Sequence, residues 1–285
     1  MKICYFNDSR LGVVENGVVK DVTDVLNRMP AYRSPLPRFD PLIAALPQLM
    51  PAMREKAASA TGRAVEDVKF LSPVANPGKV VAAPVNYLAH LDETIADPKT
   101  FSRAHVIRIQ ESGLFLKATS SIVGVSDGVA LRFPERRNDH EIELAVVIGK
   151  AGSGIAEADA LDHVAGYTLG LDMTLRGAEE RSFRKSIDSY TVLGPWLVTA
   201  DEFGDPTDVG ISVAVNGEVR QSARTKDLIL SVPALIAFAS SFYTLHPGDV
   251  LMTGTPEGVG PVYAGDLLTA SVERIATIDV SIRSA

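Results

Sequence analysis

Alternating apolar and polar positions at the start of the chain predict short strands over 2–6, 11–14 and 17–21, separated by Asn7-Asp-Ser and Glu15-Asn-Gly turns. A helix is expected near 22–28 and a longer one over about 40–60, with the proline-rich stretch Pro30 to Pro41 as an extended connection. Composition turns loop-like through Leu71-Ser-Pro-Val-Ala-Asn-Pro-Gly78. That stretch marks the junction between a small N-terminal α/β domain, residues 1–72, and a larger domain, residues 73–285.

Beyond the junction, strand-like runs dominate: 79–83, 114–117, 128–132, 141–149, 164–171, 196–199, 210–215, 218–221, 249–252, and 267–282 with a break. Helical periodicity is confined to 87–96, 157–161, 174–182 and 231–243. Many strands with few intervening helices disfavour a doubly wound βαβ fold and predict an α+β, mainly β architecture. Asn216-Gly217 between two alternating runs is a hairpin signal.

Composition narrows the partners. The 285 residues carry 28 Lys and Arg against 35 Asp and Glu, a net charge of −7 that disfavours nucleic acid or an anionic membrane surface as the main partner. The single cysteine, Cys4, forms no intrachain disulfide and sits in an apolar strand-like run, which fits core packing in a reducing compartment. The N-terminus lacks a long apolar run, and no segment reaches transmembrane length. A cytoplasmic protein is expected.

Chemistry enters at Asn138-Asp-His-Glu-Ile-Glu-Leu-Ala-Val-Val-Ile148. Side chains two apart on a strand share a face, roughly 7 Å apart along the chain, so Glu141 and Glu143 stand together at the mouth of an apolar strand. Two anions beside a core repel each other unless a proton or cation intervenes, and carboxylate oxygens suit Mg²⁺, Mn²⁺ or Ca²⁺. A polar edge of an ordinary strand is the competing reading. The rest of the chain decides between them.

Four segments stand out: Val85-Asn-Tyr-Leu-Ala-His90-Leu-Asp-Glu93; Glu141-Ile-Glu143; Gly166 through Asp172 and Arg176 to Lys185-Ser-Ile-Asp188 and Gly194-Pro-Trp196; and Asn216 to Gln221 followed by Leu245-His-Pro-Gly-Asp249 and Thr253-Gly-Thr-Pro-Glu-Gly-Val-Gly260. In this order they resemble the fumarylacetoacetate hydrolase superfamily over roughly residues 74–285. The resemblance implies a mixed β-roll catalytic domain, a homodimer, a bound Mg²⁺ or Mn²⁺, and a small 2-oxo or 2,4-dioxo acid substrate drawn from aromatic- or sugar-acid catabolism. It implies Glu141, Glu143 and Asp172 as metal ligands. His90 is then the general base, with Glu93 orienting it, and Lys185 the group that stabilises developing enolate charge.

Lys117 matches a second active-site lysine, although Ala118 stands where the family usually has proline. Thr255 and backbone N–H groups of its glycine-rich turn are expected to hold the substrate carboxylate. That turn lacks the strand–GxxxxGK[ST]–helix order of a phosphate loop. Arg176 is expected at the substrate. Glu179 takes the place of a family glutamine that touches substrate, so an acidic side chain there favours substrates with a hydrogen-bond donor. His105, His140, His163 and His246 are read as structural. The segment Thr94 to Gly113, with Arg103, His105 and Arg108, is either a lid with basic contacts or a solvated loop.

The leading expectation is metal-dependent hydrolysis of a C–C bond in a 2,4-dioxo acid. Decarboxylation, isomerisation or hydration of a 2-oxo acid at the same site is the alternative. A catalytically silent ligand-binding protein on this fold is the third.

Overall fold

A computed structural model of the chain describes residues 1–96 and 109–285. Among these residues strand exceeds helix, and the strands fall into sheets of eleven, five and three. The large sheet runs Gly62–Ala64, Val18–Asp21, Arg10–Glu15, Lys2–Phe6, Thr191–Thr199, Val164–Asp172, Ile142–Ile148, Val250–Met252, Val80–Ala82 and Phe115–Lys117, with Ile122–Gly124 pairing parallel to Thr191–Thr199. The strands of residues 1–72 therefore continue the sheet of the larger domain. Lys2 and Ile3 lie opposite Val198 and Leu197 in antiparallel register.

The Ile142–Ile148 strand shows why its sequence is almost wholly apolar. Ile142, Leu144, Val146 and Ile148 enter one core, whereas Ala145 and Val147 enter another. The first core lies against the five-stranded sheet, through Ile211, Val213, Leu268, Ala270 and Val280. The second lies under the helix Pro41–Ser59, through Leu42, Ile43, Leu46 and Met53. A strand covered on both faces has no solvated side, and so reads as a continuous hydrophobic run. The layers are thus helix, large sheet and smaller sheet.

Asp40 fixes the junction region. One of its oxygens caps the Pro41–Ser59 helix by accepting the Ile43 N–H, and the other accepts those of Ala75 and Asn76. The hairpin expected at Asn216-Gly217 is present between Gly210–Val215 and Glu218–Arg224, with both turn residues at positive φ.

Two expectations are corrected. The helix expected over 174–182 is instead a short strand, Thr174–Leu175, followed by a bend and the helix Arg181–Lys185, started by Glu180 accepting the Ser182 and Phe183 N–H groups. Gly177 packs against the Arg136–Glu179 ion pair, with the Arg136 guanidinium 2.1 Å from where a Cβ would lie, so a larger residue there would displace those two side chains. The strand expected over 196–199 begins at Thr191, and Gly194-Pro195 lies inside it. No helix among the described residues is long and apolar enough to cross a membrane.

Candidate metal centre

Three carboxylates converge where the large sheet opens. Glu143 lies on the Ile142–Ile148 strand opposite Gly170, and Asp172 ends the neighbouring Val164–Asp172 strand. Glu141 occupies the one-residue break between Asn138–His140 and Ile142–Ile148, and its carbonyl accepts the Asp172 N–H at 2.8 Å. One oxygen from each of the three side chains lies within 4.8 Å of the others, and all three residues are buried.

The surrounding cations divide unevenly among them. The Lys185 ammonium donates to Glu141 Oε2 at 2.7 Å, Asp172 Oδ2 at 2.6 Å and Thr174 Oγ1 at 2.6 Å. Lys117 donates to Asp172 Oδ1 at 2.5 Å and to the carbonyls of Lys185 and Tyr190. Arg176 bridges Glu141 Oε1 at 2.9 Å and Asp139 Oδ2 at 2.6 Å. Burial alone raises the Glu141 pKa, but the charges of Lys185 and Arg176 outweigh it and hold that carboxyl well below its usual range. For Lys117 burial dominates, pushing the ammonium down against the pull of Asp172.

Glu143 differs. Its Oε2 accepts the Gly254 N–H at 2.7 Å, while its buried Oε1 has no hydrogen-bond partner. Burial, and then the nearby Asp172 charge, push its pKa well above the ordinary value. A buried carboxylate oxygen without a donor, facing two further carboxylates, is what a hard divalent cation satisfies. The donor set is all oxygen and lacks sulfur, which selects Mg²⁺, Mn²⁺ or Ca²⁺ over a structural zinc. Glu141, Glu143 and Asp172 would hold it.

A second group faces this cluster from the helix Leu88–Ala96. His90 Nδ1 lies 2.7 Å from Glu93 Oε2, and the other Glu93 oxygen accepts the Gly258 N–H at 3.0 Å. The segment leading into the helix is anchored by buried Asn86, whose amide donates to the carbonyls of Leu230 and Thr253 and accepts the Leu230 N–H. His90 lies within electrostatic reach of Glu141.

The turn Thr253–Gly260 is more committed than its sequence suggests. Thr253 N–H donates to the Leu144 carbonyl, Gly254 N–H to Glu143 and Gly258 N–H to Glu93. Three backbone N–H groups of the turn are thus engaged inside the protein, and the Thr255 hydroxyl is a further donor for a substrate carboxylate. Gln221 orients it. The Gln221 amide donates to Thr255 Oγ1 at 2.8 Å and to the Pro256 carbonyl at 2.7 Å, and its oxygen accepts from Ile142 N–H at 3.2 Å. Since Pro256 O can only accept and Ile142 N–H can only donate, the amide orientation is fixed. His140 Nδ1, 3.0 Å from the same Gln221 oxygen, must then carry the proton. Thr255 receives one hydrogen from Gln221, so its own is free to point toward a bound anion.

The structure brings together Glu141, Glu143, Asp172, Lys117, Lys185 and Arg176, and sets His90 with Glu93 on one side and Thr255 on another. Lys117 and Arg176, expected at the substrate, pair with carboxylates of the cluster. Glu179 is not brought to the site: Arg136 takes both its oxygens, at 2.8 and 2.9 Å, at the protein surface. An arginine two residues from the Asn138 strand is a nearer and more exposed partner than the buried cluster. Arg103, His105 and Arg108 lie outside the described residues. Gln221, Asn86 and Asp139 were not singled out by sequence. All three lay inside quoted segments, but only the folded contacts reveal what they hold.

The sequence profile of the fumarylacetoacetate (FAA) hydrolase C-terminal domain matches residues 79–283. A maleylpyruvate hydrolase from Aquipseudomonas alcaligenes is 55% identical over 286 residues, covering 100% of both chains. A human mitochondrial oxaloacetate tautomerase is 40% identical over 226 residues, which span 74% of this chain and 68% of that one. Among solved structures, the maleylpyruvate hydrolase from Sphingobium sp. SYK-6 in complex with manganese(II) ion and pyruvate superposes with a TM-score of 0.85 at 36% identity, covering 100% of each chain. From the carboxylate trio to the Thr253–Gly260 turn, the chain belongs to the fumarylacetoacetate hydrolase family.

Proposed function

We propose that this protein hydrolyses the C3–C4 bond of a 2,4-dioxo acid of the acylpyruvate type, as a homodimer loaded with Mg²⁺ or Mn²⁺. The observation that carries the reading is the His90–Glu93 pair set beside the carboxylate trio. The 55% identity to a maleylpyruvate hydrolase over the whole chain supports it.

When bound, the cation supplies Lewis-acid polarisation of the 2-oxo acid end. The Thr255 hydroxyl donates to the substrate carboxylate. Glu93 holds the proton-bearing Nδ1 of His90, which leaves Nε2 as the base that takes a proton from water. The resulting hydroxide adds to the C4 carbonyl, and the C3–C4 bond then breaks. Its electron pair passes to the pyruvate enolate, while C4 leaves as a carboxylic acid. The Lys185 ammonium offsets the enolate charge until C3 is protonated. One water is consumed, and pyruvate and one carboxylic acid are formed.

The 40% identity to an oxaloacetate tautomerase favours a second reading, proton transfer on a 2-oxo acid without an attacking water. Turnover of a panel of 2-oxo and 2,4-dioxo acids with Mg²⁺ or Mn²⁺, read by product mass, separates the two. His90→Ala abolishes hydrolysis in the first case. Full hydrolytic turnover by that variant overturns the assignment of His90.

A further inference from the structure

Three cations, Lys117, Lys185 and Arg176, face the trio Glu141, Glu143 and Asp172, so the cluster is near charge balance before any dication enters. An entering ion must compete with those cations for carboxylate oxygens. Lys117 and Lys185 donate to carboxylates of the trio and otherwise to neutral oxygens. Arg176 differs. Its guanidinium is shared with a fourth carboxylate, Asp139, which is fully buried and lies outside the trio.

Local pairing sets up the sharing. Thr174 and Leu175 run antiparallel to Asp139 and Asn138, and the Arg176 N–H donates to the Arg137 carbonyl. That register brings one guanidinium across to two carboxylates that stand two residues apart. Its Nε reaches Asp139 Oδ2 at 2.6 Å, and its Nη2 reaches Glu141 Oε1 at 2.9 Å. The exposed Arg137 donates to the other Asp139 oxygen at 2.8 Å, so this carboxylate is held from both sides. Burial alone lowers the Arg176 pKa, but the charges of Glu141 and Asp139 outweigh it.

We infer that Asp139 is a positioning residue for the metal centre: by holding part of the Arg176 charge, it keeps Glu141 Oε1 available to the ion. Without the Asp139 charge, the guanidinium would rest on Glu141 and oppose a dication on that ligand. This role rests on the assignment of the trio to a metal and not on the reaction proposed above.

The test is Mn²⁺ affinity, read by calorimetry on the metal-stripped full chain. Asp139→Asn keeps the shape and removes the charge, and is expected to weaken Mn²⁺ binding about 10- to 100-fold. Arg176→Met removes the competing cation and is expected to tighten it by about fivefold or more. In the Arg176→Met background, Asp139→Asn is expected to change the affinity by less than about threefold, because Asp139 acts through Arg176. A purely structural ion pair predicts weaker binding in both single variants, since damage to the site does not tighten it. Weaker binding by Arg176→Met, unchanged affinity in Asp139→Asn, or an undiminished effect of Asp139→Asn in the double variant overturns the role. If Asp139→Asn does not fold, the sign of the change in Arg176→Met still decides. The expected pattern without hydrolysis of any dioxo acid removes the proposed function and leaves the role of Asp139 standing. Failure of wild type to bind Mn²⁺ overturns the metal assignment and this role together.

Discussion

The Glu93 carboxylate joins two distant parts of the chain, one oxygen on His90 Nδ1 and the other on the Gly258 N–H, 165 residues further along. The residue that orients the base is therefore itself positioned by the turn that carries Thr255. Glu93→Gln preserves the shape but not the polarity. If its amide oxygen keeps the Gly258 N–H, its NH₂ faces His90 and forces the proton onto Nε2, where it blocks base action. The expected result is a fall in kcat of about 10²- to 10⁴-fold with an unchanged melting temperature. Gly258→Ala is expected to act on the same link. Its φ is +89°, and a Cβ would lie 1.9 Å from the Arg220 carbonyl oxygen, so the turn must move.

The two strand glutamates are expected to respond oppositely to neutralisation in metal-free protein. Glu143→Gln replaces a carboxyl that burial and Asp172 already bias toward its neutral form with a neutral group of the same shape, so the variant should melt no lower than wild type. Glu141→Gln leaves Lys185 and Arg176 short of an acceptor, which costs about 1–3 kcal/mol. Both variants should lose the stabilisation that Mn²⁺ gives wild type, about 2.7 kcal/mol at 100 times Kd. Calorimetry with Mn²⁺ and with chelator checks all three statements. A large destabilisation of metal-free Glu143→Gln would show that its carboxylate is compensated in a way the geometry does not reveal.

Gln221 is expected to matter for stability as well as for activity. Its side chain ties the break that holds Glu141 to the Thr255 turn through both ends of one amide. Gln221→Ala leaves buried donors and acceptors unmatched and should cost on the order of 3 kcal/mol. Thr255→Val tests the hydroxyl separately. It should raise KM for the 2-oxo acid by about tenfold or more while leaving the melting temperature near wild type.

Much of the site was legible in the sequence. Two glutamates spaced for one strand face, an aspartate at a strand end, and a histidine and glutamate three apart on a helix are each ambiguous from spacing alone, and acquire roles only through the order of the motifs and the family they resemble. How charge is shared among them was not legible. Lys117 and Arg176 look like substrate contacts in sequence, but three buried carboxylates need cations of their own, and only the packing shows that these two serve that need. The ion pair of Glu179 was not legible either, since its partner Arg136 lies 43 residues away on another element. The fold was read well wherever burial imposes a period of two. It was misread at 174–182, where Thr174 and Leu175 pair with Asp139 and Asn138 and the helix starts only after Glu180, which caps it.

Cys4 is expected to be chemically silent in the folded protein. Burial pushes its thiol up to about 12, well above the roughly 8.5 of a free cysteine. The folded chain keeps that proton where the unfolded chain has lost it. This contribution to stability is therefore full below about pH 8.5 and declines as the pH rises toward 12. A thiol reagent at pH 8 should find no reactive group in native protein and one in denaturant. Rapid labelling of native protein would contradict the burial.

The strand Thr191–Thr199 pairs at one end with Lys2 and Ile3 and at the other places Thr191 opposite Asp172. One continuous ladder thus links the first residues of the chain to a ligand of the metal centre, and melting of the first hairpin would be felt by the second as a loss of shared cooperativity. Without residues 1–72, Leu197 and Val198 would become a bare, apolar sheet edge, a template for the strands of other molecules. The N-terminal segment covers an edge of the very strand that pairs with Asp172.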